Sequence, residues 1–278
     1  MSFTSAAVAL AERRAGKFGA SIFSGRPGTV ANRNLMTLKS SSGLTFVAGF
    51  VEPVLFLIAF GYGVGGMVGN ITDSNGNVIS YAAYIMPALL ATSAMNGAIF
   101  DSTWNVFFKM HFAKLYQGML ATSLGTLDVA IGEIGWAMFR GMMYALGFVS
   151  VVGILGLIPS FGGAALAVLA ATIVAFAFAS LGMGITSYMK SFQQLDMVTF
   201  FLLPMFLFSG TLFPVTIFPA WAQFLIQALP LRQAIELVRD AMTLNISLSM
   251  LGHLAYFAVM IIGGLYFTTR RLTALFLR

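Results

Sequence analysis

Cysteine is absent from the 278-residue chain, so no disulfide and no thiolate metal site can be drawn. Histidine occurs only as His111 and His253, too few for a metal cluster. Charge is scarce as well: Asp, Glu, Lys and Arg make up 9% of the residues, against about 25% in a soluble domain. Nucleotide-binding chemistry is missing too. No G-x-x-x-x-G-K-S/T occurs; Gly16-Lys17 runs into Phe18 with no upstream glycine, so ATP phosphates cannot be cradled by that route. H-E-x-x-H, G-x-S-x-G and paired aspartates do not occur either, which leaves catalysis with little support. Residues 1–43 contain no apolar run after Arg13, Arg14 and Lys17 of the kind a signal peptide needs.

Apolar residues are abundant, at 59% of the total. The pattern predicts an all-α polytopic membrane protein, because runs of about 20 apolar residues cross a hydrocarbon core. Six spans are expected, at about 44–64, 81–100, 127–157, 164–187, 197–212 and 251–267. They form a single membrane domain over 44–270, between a polar segment 1–43 and a tail 271–278.

Two connecting stretches are amphipathic. Over 29–42, Val30, Leu35, Met36 and Leu38 alternate with Arg33 and Lys39, which fits a helix lying along a membrane face; a solvated basic tail fits the same residues. Residues 101–125 carry Lys109, His111 and Lys114 among Trp104, Phe107, Phe108, Phe112 and Leu115. That is a short helix which either lies at the interface or docks a partner. The run Asp-Ser-Asn-Gly-Asn at 73–77 reads as an exposed turn.

Three charged residues fall inside spans. Glu52 precedes Pro53 in the first, and Glu133 and Arg140 stand seven apart in the third, two helical turns along nearly one face. An unpaired Arg near a span centre costs roughly 2.5–3.5 kcal/mol on insertion scales, less if it pairs or snorkels. A structural role for these groups and direct contact with a substrate are both open on this ground.

Residues 206–245 are broken by Pro214, Pro219 and Pro230. Trp221, Phe224, Leu225, Ala228 and Leu229 fall on one helical face. After Pro230 the pattern restarts with Leu231, Ile235, Val238 and Met242, opposite Arg232, Glu236, Arg239 and Asp240 as a wet or interfacial face. Two readings stand: a hairpin dipping into the bilayer edge, or two helices lying on its surface.

Charge asymmetry orients the chain. Twelve of the fifteen Lys and Arg fall in 1–43, 101–127, 187–196 and 268–278; only Arg232 and Arg239 fall in the opposite segments, and Arg140 lies in a span. The expectation is a multi-pass protein of the cytoplasmic membrane with both termini inside and the proline-broken hairpin outside.

Several of these pieces resemble one family. They are Glu52-Pro53 with Phe60-Gly61 and Gly65; 114–140 with Met119-Leu120-Ala121-Thr122 and Gly132-Glu133; and Phe208-Ser209-Gly210-Thr211-Leu212-Phe213-Pro214, then Pro219, Trp221, Leu229-Pro230-Leu231 and Arg239. The chain resembles the membrane permease subunit of type 2 ABC exporters, in the nodulation-factor-exporter and daunorubicin-exporter branch. The resemblance implies an N-terminal interface helix at about 29–43 and a cytoplasmic coupling helix at about 102–118. It also implies a re-entrant extracellular hairpin after span five as outer gate, with Pro214, Pro219, Trp221, Pro230, Arg232, Glu236 and Arg239. Phe107, Phe108, Lys109, His111 and Lys114 become candidates for docking a separate ABC ATPase, present in two copies beside a second permease, identical or related. ATP and Mg would sit on that ATPase, with no cofactor bound directly and no nucleic acid among the partners.

The resemblance thus implies ATP-driven export of a hydrophobic or amphipathic compound such as a lipid-linked saccharide, a glycolipid or a drug. A proton-coupled carrier using Glu52 and Glu133 and a non-transport membrane scaffold are the alternatives.

Overall fold

The computed structural model describes residues 22–39, 44–72 and 78–276. Most of the N-terminal segment, the 40–43 end of the expected interface helix, the turn expected at 73–77 and residues 277–278 lie outside the described residues.

Helix α1, Pro27–Lys39, opens on a proline, which has no N–H to leave unpaired in the first turn. The first span is α2, Leu44–Ile58, continued by a π turn at Ala59–Val64 and α3, Gly65–Val68. A small antiparallel ribbon follows, β1 (Asn70–Thr72) on β2 (Val78–Ser80), with Asn70 opposite Ser80. It is the one departure from an all-helical architecture among the described residues. The Ser80 hydroxyl then caps α4, Tyr81–Phe100, by accepting from the Ala83 N–H.

The second long helix does not stop at Phe100, as expected. It passes through a π turn at Asp101–Asn105 into α5, Val106–His111. Lys114, in the left-handed region at φ 48°, reverses the chain into α6, Leu115–Leu120. The single coupling helix expected over 102–118 is therefore a helix end, a turn and a second short helix. The boundary was misplaced because Asp101, Ser102 and Thr103 read as a polar exit from the membrane, yet all three are buried.

Beyond these come α7 (Thr126–Ile154), α8 (Phe161–Thr186), α9 (Gln194–Phe208), a 3-10 turn (Val215–Ile217), α10 (Ala220–Ala228), α11 (Pro230–Met242) and α12 (Leu248–Phe276). Among the described residues five helices are long and apolar enough to cross a membrane: Gly49–Val68, Tyr81–His111, Thr126–Ile154, Phe161–Thr186 and Leu248–Phe276. α9 has 15 residues, about 22 Å at 1.5 Å per residue, short of a core of about 30 Å.

The core is α4, buried on nearly every side by α2, α7, α8 and α11. Such a helix needs no polar face, which is why its sequence shows no stripe. Small residues let the backbones approach. A Cβ on Gly141 of α7 would stand 2.6 Å from the Ala175 methyl of α8 and 2.6 Å from the Ala94 carbonyl of α4. α9 is the exception to this close packing, with Leu195 its one buried residue.

Candidate functional site

The polar side chains gather at the two ends of the bundle. At the end carrying α1, α5 and α6, three separate stretches meet on the first turns of α7. Asp128, the third residue of α7, is fully buried. Its carboxylate accepts the backbone N–H groups of Ser24 at 2.6 Å, Arg26 at 2.8 Å and Gly125 at 2.9 Å. A carboxylate in the first turn of a helix also faces the positive end of its dipole. The Leu127 N–H donates to the Ile22 carbonyl at 2.8 Å. Gly125 is required here, since a Cβ would lie 2.2 Å from that carbonyl oxygen. The chain entering α1 is thus fastened to the start of α7.

A turn further along α7, the Glu133 carboxylate is buried and takes the Lys109 ammonium of α5 at 2.6 Å. Asn34 of α1, also buried, donates to the same oxygen at 3.3 Å and accepts from Lys109 at 3.3 Å and from Arg33 at 3.2 Å. α1 lies close because Gly132 has no Cβ, which would meet Val30 at 2.5 Å. Beside this cluster Tyr116 of α6 is fully buried, and its hydroxyl has no hydrogen-bond partner among the described residues. Burial, then the Glu133 and Asp101 carboxylates, push that hydroxyl well above its usual pKa.

These contacts reassign several sequence candidates. Glu133 and Arg140 share a face but do not pair: Glu133 holds Lys109, and Arg140 meets Asp101 at 3.3 Å, which also accepts from Asn105. Each of these two charges thus has its own partner inside the bundle. Among the docking candidates, Phe107 is buried and Lys109 is turned inward to Glu133. Phe108, His111 and Lys114 are exposed. The Phe108 ring joins Phe112 and Phe192, both also exposed, with centroids 5.1 and 5.9 Å away. His111 reaches the Met189 carbonyl through Nε2 at 3.0 Å, so the hairpin touches the α8–α9 connection. On α1 the inward face is Val30 and Asn34, while Leu35 and Met36 point outward, so the expected apolar residues divide between two faces.

Sequence reasoning missed Asp128, Asn34 and Asp101. Asp128 three residues after Gly125 is a helix-start signal that could have been read. Asp101 and Asn105 are i, i+4, but only if the helix continues past Phe100. Asn34 had no signal.

At the other end, α10 turns Trp221, Phe224 and Leu225 outward, whereas α11 buries Leu231, Ile235, Val238 and Met242 as expected. Pro214 and Pro219 precede the 3-10 turn and α10, and Pro230 is the first residue of α11. The charged side of α11, expected as a wet or interfacial face, is only partly exposed. Glu236 accepts from Arg232 at 2.6 Å and Arg239 at 2.8 Å, all three half-buried, and Arg239 lies 4.9 Å over the Tyr84 ring of α4. The Tyr84 and Tyr81 hydroxyls donate to the carbonyls of Gly210 and Leu212, at 3.3 and 2.9 Å. The cause is packing: α11 sits between α4, α8 and α12, so its polar side faces protein as well.

Glu52 stands apart. It is exposed, and lines a cleft of about 380 Å³ between α2, α4 and α9, with Thr92, Asn96 and Thr199 as its other polar walls.

Comparison with known proteins gives a single direction. The family model described as ABC-2 type transporter matches residues 28–243. A relative named Nodulation protein J from Sinorhizobium fredii is 32% identical over 214 residues, covering 77% of this chain and 79% of that protein. Nodulation protein J from Rhizobium leguminosarum bv. trifolii is 30% identical over 251 residues, 90% of this chain and 93% of its own length. Inner membrane transport permease YadH of Escherichia coli is 26% identical over 183 residues, 64% and 68% of the two chains.

Proposed function

Because the chain belongs to the ABC-2 type transporter family, we propose that it is the membrane subunit of an ATP-driven exporter. Its cargo is a hydrophobic or amphipathic compound, such as a lipid-linked saccharide, a glycolipid or a drug, leaving the cytoplasm or the inner leaflet. One observation carries the reading: Glu133 joins Lys109 of α5 and Asn34 of α1 to α7. A push on the α5–α6 hairpin would therefore reach a spanning helix rather than dissipate in a loop. Phe108, His111 and Lys114, with Phe112 and Phe192, form the surface that receives a separate ABC ATPase. Two ATPases, holding ATP and Mg, and a second permease, identical or related, complete the unit.

In this reading the chain crosses the cytoplasmic membrane six times with both termini inside. α9 is the fifth crossing, completed by the turn after Phe208, and α10–α11 form a re-entrant hairpin closing the outer end of the path. Support comes from the charge asymmetry and from α11 being buried in the bundle rather than laid upon it. Single cysteines replacing the exposed Trp221, Phe224 and Leu225, in a chain without native thiols, should react with an impermeant reagent from outside only.

The decisive experiment is reconstitution. Purified alone, the chain should hydrolyse no ATP; with its ATPase in vesicles, cargo flux should require ATP. Flux driven by a proton gradient without any ATPase would overturn the proposal. A proton-coupled carrier remains the second reading because Glu52 is exposed in a cleft with polar walls. Glu133, engaged by Lys109, no longer supports it. Glu52→Gln separates the two: it abolishes flux in a carrier and leaves ATP-driven flux intact in an exporter.

A further inference from the structure

A second cleft, of about 480 Å³, runs between α8 and α9. Leu181 and Ile185 form one wall, Met197, Phe201 and Leu202 the other. It exists because α9 stands off the bundle with Leu195 alone buried, and it opens sideways, where Ile185, Met197 and Phe201 are exposed. Tyr188 and Gln194 line one end, Phe178, Met205 and Pro230 the other. The stretch from Gln194 to Met205 is about 16 Å of helix at 1.5 Å per residue. Half of a hydrocarbon core of about 30 Å is about 15 Å, so the cleft has the depth of one leaflet.

Its polar mouth is cationic. The Arg271 guanidinium lies 4.8 Å over the Tyr188 ring and donates through Nε to the Ser187 carbonyl at 3.3 Å. Gln194 accepts the Lys190 N–H at 2.6 Å, holding that turn beside the mouth with the Lys190 side chain exposed. Arg270 adjoins Arg271 in sequence, and Asp196 is the one acidic residue of α9. A one-leaflet apolar slot ending near a guanidinium group and an ammonium suits a chain ending in a phosphate.

We propose that this cleft binds one acyl chain of an anionic membrane phospholipid, with its phosphate held between Arg271 and Lys190. The lipid fills the space that α9 leaves and seats α9 against α8. This assignment needs only that α8 spans the bilayer, and stands whether or not the exporter reading does.

Native mass spectrometry of the full chain, released from detergent with equal phosphatidylglycerol and phosphatidylcholine, tests it. One phosphatidylglycerol should be retained in preference. Lys190→Gln and Arg271→Gln should each reduce that preference about fivefold, the value of one cation near an anionic headgroup. Ile185→Trp, at an exposed wall position, should release both lipids. As a check independent of folding in that variant, a fluorophore on Phe201→Cys should be quenched by phosphatidylglycerol brominated in its acyl chain more than by the phosphatidylcholine equivalent. Equal retention and equal quenching would overturn the proposal. So would a disulfide between two copies of Phe201→Cys, which would put a second chain over the cleft. A retained lipid that leaves on ATP turnover in the ATPase complex would make it cargo, and would overturn the assignment as well.

Discussion

Lys109→Met keeps most of the side-chain stem and removes the ammonium that Glu133 depends on. The Glu133 side chain is 1% exposed and that of Lys109 is 19% exposed. Removing one partner of a buried pair costs roughly 3–5 kcal/mol, because the remaining charge is stranded. Water reaches Lys109, so about 3 kcal/mol is expected for Lys109→Met, the lower end of that range. Glu133→Leu strands the better solvated partner and should cost less, about 2 kcal/mol. The double variant removes both charges, leaving chiefly the buried Asn34 amide without its acceptor. That costs about 1–2 kcal/mol. The two single losses would then exceed the double loss by about 3 kcal/mol, a large coupling for residues in contact. Denaturant unfolding in lipid-detergent micelles, followed by the fluorescence of Trp104, Trp136 and Trp221, would measure it. If the single losses simply add in the double variant, the ion pair is not what joins α5 to α7.

Other contacts make separate predictions. Asp128→Ala removes the acceptor of three backbone N–H groups; at about 1 kcal/mol each, roughly 3 kcal/mol should be lost, and protease should cut near residues 22–26 before the bundle unfolds. Gly210→Ala forces a side chain onto a φ of +78°, with its Cβ 2.8 Å from Val215 and 3.0 Å from Arg232. A loss above about 1 kcal/mol is expected, with impermeant labelling at 221–240 increased as α10–α11 loosen. Tyr84→Phe removes one hydroxyl donated to the Gly210 carbonyl and should cost about 1 kcal/mol; a change in cargo flux larger than the change in stability would tie that turn to the outer gate. Glu52→Gln should leave folding unchanged, since Glu52 is exposed, and unfolding curves superimposable with those of the unaltered chain are the check.

Local sequence determined what bilayer physics enforces locally. Long apolar runs in a chain with 9% charge have one outcome, hydrogen-bonded helices, because an unpaired backbone amide in hydrocarbon costs several kcal/mol. The five long helices, the two short helices after Pro219 and Pro230, and the inward face of α11 were legible for that reason. The Phe208–Pro214 and Glu52-Pro53 motifs also pointed to the family. Partner choice was decided only in three dimensions. Glu133 and Arg140 share a face of one helix, but periodicity places side chains on a face without saying which neighbour will meet them. Packing brought Lys109 and Asn34 from 24 and 99 positions away to Glu133, and gave Arg140 to Asp101. The same holds for α11, whose charged side looked solvated because sequence shows one helix at a time, whereas α4 and its Tyr84 ring cover it. The mismatch at α9, apolar yet standing off the bundle, is likewise a property of how helices assemble, although its lack of Ala, Gly and Ser already sets it apart from the closely packed α4 and α8.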